Sequence, residues 1–273
     1  LKKKRDYTNS APALAFDCSN RTLAVAIVAA GKVCAEAPPR VGENHSVTLL
    51  PMIEHLCGEC GVTIADMEYI AFTTGPGAFT ALRIAAAAAK GFALARQVPL
   101  VGVPTLEALA LNVLTEAYEQ TALICPLLDA RKGLVYTAAF EALGRVLPLP
   151  PVERYIEAQA AGKGGTDDEA FPACELASVF PQRLCSPGEF LADISNTATL
   201  AKKRVIFLGS GALLHREMIV ATLGEQAVFG LAPTAAVWAG RLGLYAARLF
   251  ADGRHLTPLS FTPLYLQVSS AEK

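Results

Sequence analysis

Residues 69–96, YIAFTTGPGAFTALRIAAAAAKGFALAR, constrain the fold more than any other stretch. Residues 69–74 are β-branched, aromatic and apolar, and they stop at Gly75-Pro76-Gly77, which reads as a buried strand ending in a loop. Thr80 can serve as an N-cap, and the alanine run flanked by Leu82, Ile84 and Phe92 then specifies a helix. Arg83, Lys90 and Gln97 recur every seven residues on one narrow line, so the remaining surface of this helix is apolar or alanine. Such a helix must be covered on more than one side. Its own domain could supply both covers, or a partner helix could supply one, and the residues alone leave the two readings equal.

The 273 residues are 52% hydrophobic and 18% charged, enough for a sizeable core and two domains. With 24 basic against 25 acidic residues, no overall field draws nucleic acid or an anionic membrane, so RNA would be held by something else. No apolar run has the length of a membrane span, and Lys2-Lys3-Lys4-Arg5 opens a basic stretch, 1–10, expected to be a disordered leader. Seven scattered cysteines in a chain of this size point to reduced thiols and a cytoplasmic location.

Residues 13–17, 22–28 and 33–37 suit a meander of three antiparallel strands with Asp17 at its first turn. A helix over 49–60 ends at Gly61, Thr63-Ile64-Ala65-Asp66 has capping-box form, 99–103 is a strand, and Thr105 caps a helix to about 113. Strands at 122–129 and 134–140 form a hairpin across Arg131-Lys132-Gly133. Prolines, an acidic trio and Gly162-Lys163-Gly164-Gly165 mark an irregular insertion near 150–187. Ser186-Pro187-Gly188-Glu189 is a second capping box, 204–208 a strand, Gly209-Ser210-Gly211 a turn into a helix, and 233–252 a long helix closed by Gly253. No fixed-period repeat is visible, although the two halves could share one plan.

Three strand-end turns could hold a nucleotide: Asp17-Cys18-Ser19, Asp129-Ala130-Arg131 and Gly209-Ser210-Gly211, with Gly75 and Gly77 nearby in the first half. Backbone N–H groups and carboxylates at strand ends suit phosphate and a magnesium-bound water. Each turn alone is more often just a turn, but their order is that of the sugar kinase, heat-shock and actin ATPase (ASKHA) fold. Cys57 and Cys60 have CxxC spacing but lack a second pair for zinc, so they read as core residues late in an amphipathic helix. His45, His215 and His255 have no catalytic spacing, and Lys163 lacks the Walker spacing.

In order along the chain, LAFDCSNRTLAVAI, HSVTLLPMIEHL, GPGAFTALRIAAAAAKGFALA, VPLVGVPTLEALA, LLDARKGLVYTAAF, FLGSGA and PLYLQ together resemble the bacterial TsaB (YeaZ) proteins. The resemblance implies an α/β, two-lobed ASKHA fold, each lobe a mixed sheet with flanking helices. The first lobe would take 11–113 plus 233–256, and the second 114–232 plus 257–268. It further implies a role as scaffold or activating subunit in making threonylcarbamoyladenosine on tRNAs that read codons starting with A. The chain would bind the catalytic paralogue TsaD and the ATPase TsaE, form a homodimer when alone, and meet tRNA only through the complex.

TsaD carries an HxExH metal motif where this chain has Thr105-Leu106-Glu107-Ala108-Leu109, so no metal and no intrinsic cofactor or catalytic residue is expected. ATP or ADP could still sit at the joint with the partner. In the family the helices matching 46–60 and 80–96 make that joint. The implied contact residues are Leu49, Met52, Ile53 and Leu56 on the first and Arg83, Ala86, Ala87 and Lys90 on the second. Ala78, Ala81 and Ala85 depart from the Ser, Gly and Gly usual in the family. The alternative reading is an independent ASKHA kinase or ATPase using Asp17 and Asp129, and a glycoprotease-like peptidase lacks a visible nucleophile or metal.

Overall fold

The computed structural model describes residues 11–42, 44–114, 122–143, 175–196, 203–230 and 235–266. The leader at 1–10 and most of the insertion, with Lys163, lie outside them. The described residues divide into two compact units, one reaching Ala108 and resuming over Val237–Leu264, the other lying between 109 and 236 and taking up the chain again at Tyr265.

In the first unit, β1 (Ala13–Asp17), β2 (Thr22–Ala29) and β3 (Lys32–Val41) form the expected antiparallel meander. Helix α1 (His45–Cys60), β4 (Ile70–Thr73), α2 (Phe79–Arg96), β5 (Leu100–Val103) and α3 (Thr105–Ala110) follow. The sheet order is β3-β2-β1-β4-β5, with β1, β4 and β5 parallel. The second unit contains β6 (Leu123–Arg131), β7 (Leu134–Leu143), β8 (Glu175–Cys185), α4 (Pro187–Asn196), β9 (Val205–Leu208), α5 (Ser210–Leu214), α6 (Arg216–Leu223) and β10 (Ala227–Phe229). Its order is β10-β9-β6-β7-β8, antiparallel on the β7 side and parallel on the β9 side. Counted within each unit, both sheets are therefore 3-2-1-4-5. Two mixed sheets of one plan with flanking helices make the ASKHA architecture.

Strand alternation assigns the two faces of the first sheet. Leu14, Phe16, Val25, Ile27, Ile70 and Phe72 join Leu49, Ile53, Leu56, Ala85, Ala89 and Ala93 in one buried cluster under α1 and α2. Helix α7 (Ala239–Ala251) covers the other face, where Ala15 and Val28 point. A Cβ at Gly243 would come within 2.7 Å of Val28 and 2.9 Å of Ala15, so glycine there lets helix and sheet meet closely. At the start of α7, the Gly240 N–H donates to Glu36 Oε1 at 2.8 Å. Burial pushes the Glu36 carboxyl up to about 7, opposed by the Gly240 N–H and by Arg241.

Several boundaries differ from the sequence reading. Helix α2 begins at Phe79 after Ala78, so Thr80 lies inside it and caps nothing. Its start is fixed by the loop instead, since the Ala78 N–H donates to the Ser19 carbonyl and the Leu82 N–H to that of Ala78. Part of the expected irregular insertion, Glu175–Cys185, is a strand. It lies at the sheet edge with register shifts opposite Ala139, the setting in which an internal proline, Pro181, is tolerated. Helix α7 begins at Ala239, after extended Trp238, while Pro233 lies outside the described residues. Residues 257–264 pack on the first unit and not the second: Phe261 meets the Phe72 ring edge-on, and the Leu264 N–H donates to Thr74. Both capping boxes form, Thr63 with Asp66 and Ser186 with Glu189.

The raised Glu36 carboxyl makes stability depend on pH with a fixed sign. A carboxyl that titrates higher in the folded chain than in the unfolded one contributes fully below pH 4.5, and that contribution falls as the pH rises to about 7. Urea unfolding across this window should show wild type losing on the order of 3 kcal/mol relative to Glu36→Gln. Parallel pH profiles for the two proteins would refute the assignment.

Candidate functional site

The proposed nucleotide residues fall into two clusters, one in each unit. In the first, Asp17 closes β1 and is buried. Its Oδ1 accepts the Ser19 N–H at 3.0 Å and the hydroxyl of Thr73, the last residue of the neighbouring strand β4. Burial raises the Asp17 carboxyl above its ordinary range, and the Ser19 and Thr73 hydrogen bonds draw it partly back. Thr73 carries no motif, and only the parallel pairing of β1 with β4 brings it to Asp17.

Gly75 and Gly77 serve close packing of backbone on backbone. A Cβ at Gly77 would lie 1.9 Å from the Ser19 carbonyl oxygen, and one at Gly75, which has φ +112°, would lie 2.5 Å from that of Leu264. The Thr105 N–H donates to the Gly75 carbonyl at 2.7 Å. The loop is thus closed onto the β1–β2 turn and the start of α3, and the Ala78 amide is engaged by the Ser19 carbonyl.

In the second cluster, Asp129 is exposed. Its Oδ1 accepts the Arg131 N–H at 2.8 Å and its own N–H donates to Ser210 Oγ, which braces the left-handed turn of Arg131, Lys132 and Gly133. A Cβ at Gly209 would sit 2.4 Å from the Leu127 carbonyl oxygen, and one at Gly211 would sit 3.1 Å from it. Cys57 and Cys60 are buried in the first core, where burial pushes the Cys57 thiol up to about 11, so it stays a thiol. Among the described residues, no group of three or more His, Cys, Asp or Glu is placed to hold a metal ion.

The helix residues named as partner contacts divide. Leu49, Met52, Ile53 and Leu56 belong to the unit's own core, because their apolar periodicity marks the side facing the sheet. Ala86 is also buried, and half-buried Lys90 holds its Nζ 5.6 Å from the Phe261 ring. Arg83 and Ala87 do face outward. The sequence reading missed the rest of that face: Val47 and Leu50 on α1, 65% and 51% exposed, and Phe79, Gly91 and Leu94 on α2. The Arg83 guanidinium stacks 4.1 Å from the Phe79 ring centroid.

If Gly77 is a packing residue, Gly77→Ala should cost at least about 2 kcal/mol in thermal or denaturant unfolding. Gly188→Ala in α4, where a Cβ meets nothing within 4 Å, should be neutral or stabilise by up to about 1 kcal/mol. Equal effects would show that the loop is not closed as described.

The family model of TsaD, tRNA N6-adenosine threonylcarbamoyltransferase, matches residues 35–232. The tRNA threonylcarbamoyladenosine biosynthesis protein TsaB of Bacillus subtilis is 29% identical over 219 residues, 80% of this chain and 80% of that protein. TsaB of Escherichia coli is 33% identical over 130 residues, 47% of this chain and 54% of that protein. The structure of YeaZ from Pseudomonas aeruginosa superposes with TM-score 0.68 and 23% identity, covering 94% of this chain and 100% of the other, a likeness of fold. The chain belongs to the TsaD-type family, on its TsaB (YeaZ) branch.

Proposed function

We propose that this chain acts in threonylcarbamoyladenosine biosynthesis as a non-catalytic subunit that binds a TsaD-type transferase through the outward face of α1 and α2. The observation that carries this reading is the exposed apolar surface of those helices. Val47, Leu50, Phe79 and Leu94 lie in the open beside Ala87 and Gly91. Partner helices pack on surfaces of this kind, with large anchors set among small residues. The same face would join two copies when no transferase is present, and a TsaE-type ATPase would join the assembled complex. ATP or ADP, where the complex needs it, would be held together with the transferase. That placement is supported by the buried, hydrogen-bonded Asp17 and the closed Gly75–Gly77 loop, which give an independent kinase little to work with. No described helix is long and apolar enough to cross a membrane, in keeping with a cytoplasmic role beside tRNA.

The helix phase gives a graded test. Ala87 faces outward and Ala89 is fully buried, so Ala87→Arg should fold while Ala89→Arg should not. Ala87→Arg should weaken co-purification with the TsaD-type protein by about 2–5 kcal/mol, because it sets a bulky charge in a desolvated joint. Threonylcarbamoyladenosine in cellular tRNA, read by mass spectrometry, should fall while soluble protein persists. Full binding and modification by the folded Ala87→Arg chain would place the joint elsewhere.

A further inference from the structure

After α7 the chain runs back across the first unit and is fastened to it at three points. The Leu256 N–H donates to the Leu100 carbonyl at 2.7 Å and the Leu256 carbonyl accepts the Leu100 N–H at 3.0 Å, an antiparallel bridge on the free side of the edge strand β5. Phe261 enters the first core, 3% exposed, with its ring edge-on to Phe72 at 4.8 Å between centroids. Leu264 then lies on the loop that follows β4. Its N–H donates to the Thr74 carbonyl at 2.8 Å, and its own carbonyl oxygen would sit 2.5 Å from a Cβ on Gly75. Between the first two points the segment folds on itself. The Thr257 N–H and hydroxyl both donate to Ser260 Oγ, the Ser260 N–H returns to Thr257, and the residues of this turn, with Leu259 87% exposed, lean little on the sheet. A segment fastened at points and self-contained between them can let go while the sheet stays intact, because its buried contacts are few beside those of the strands.

We propose that residues 256–264 are a releasable strap that holds the Gly75–Gly77 loop shut. The loop is held from two directions. On one side the Ala78 N–H donates to the Ser19 carbonyl and the Thr105 N–H to that of Gly75. On the other side the Leu264 backbone is bonded to Thr74 and packed against Gly75. Gly75 takes φ +112° and, having no side chain, gains many other conformations once a neighbour withdraws. Lifting the strap removes the hydrogen bond on Thr74 and the packing on Gly75 together, so opening of the loop follows release of the strap. Phe261 governs both, since it is the one buried side chain of residues 256–264. Helix α2 starts from the same loop, through the Ala78 carbonyl that accepts the Leu82 N–H, so the strap also fixes where that helix begins.

Native-state amide hydrogen exchange of the full chain, resolved by residue in low concentrations of guanidinium chloride, tests the strap. In wild type the amides of Leu256, Leu264, Ala78 and Thr105 should exchange through one shared opening. Its dependence on denaturant should be well below that of the β1 and β2 amides, because release of the strap exposes little surface. Phe261→Ala should speed exchange of all four amides by a common factor of about ten or more. If the Ala78 and Thr105 amides instead follow a steeper denaturant dependence than Leu256 and Leu264, or keep their wild-type rates in Phe261→Ala, the strap does not hold the loop. If all four follow denaturant as steeply as β1 and β2, there is no separate opening and the proposal fails. The wild-type measurement decides between these outcomes even if Phe261→Ala does not fold.

Discussion

Helix α7 reaches the back of the first sheet because two of its residues carry no side chain where the strand side chains meet it. Gly240 and Gly243 lie against Val33, Val28 and Ala15, with no room for a Cβ on either glycine. The larger residues Leu14, Phe16 and Ile27 of the same strands, with Phe72 of β4, turn to the opposite face under α1 and α2. The first unit is therefore finished by a helix more than 200 residues along the chain from β1, after every strand of the second unit. Glu36 marks this closure. Its buried carboxyl meets the α7 amides, the free N–H groups that every helix start must place somewhere.

A second constraint repeats in both units because the sheet plan repeats. Strands β1 and β6 occupy the same central place, as do β4 and β9 beside them. The turns after β4 and β9, at Gly75–Gly77 and Gly209–Gly211, press on the backbone at or just beyond the central strand, on Ser19 in one unit and Leu127 in the other. Glycine at these turns is set by approach to a neighbouring chain segment. The two acids at the central strands differ where the glycines agree: Asp17 is buried between Ser19 and Thr73, whereas Asp129 is exposed and braces a hairpin.

Most elements could be read from the sequence because local signals and tertiary packing agree in them. The β1–β3 meander, the β6–β7 hairpin, α1 with its Gly61 cap and both capping boxes follow from alternation, turn residues and side-chain capping chemistry. The failures came where a distant contact overrides the local signal. Thr80 is a good cap by type, but the Ala78–Ser19 bond starts the helix earlier. Pro181 argues against a strand until β8 is placed at an edge. Glu36 and Thr73 carry no motif and gain meaning only from their partners in space. Among the candidate site residues, the turns were legible as turns, while their closed packing was not.

Helix α2 shows why an interaction face is harder to read than a core. Apolar periodicity reports the side facing the sheet first, so Leu49, Ile53 and Leu56 on α1 were marked as contacts although they serve their own core. On α2 the alanine run hides the phase, since Ala85, Ala86 and Ala89 are buried while Ala87 between them is exposed. Residue type cannot separate these positions, because alanine suits a buried groove and an exposed helix equally well. The separation comes from what each position lacks. A buried alanine has neighbours that account for its size, whereas exposed Gly91 has none within 4 Å and still disfavours its helix. The outward line of α2 is therefore told apart by exposure and empty space around Ala87 and Gly91, which only the folded unit supplies.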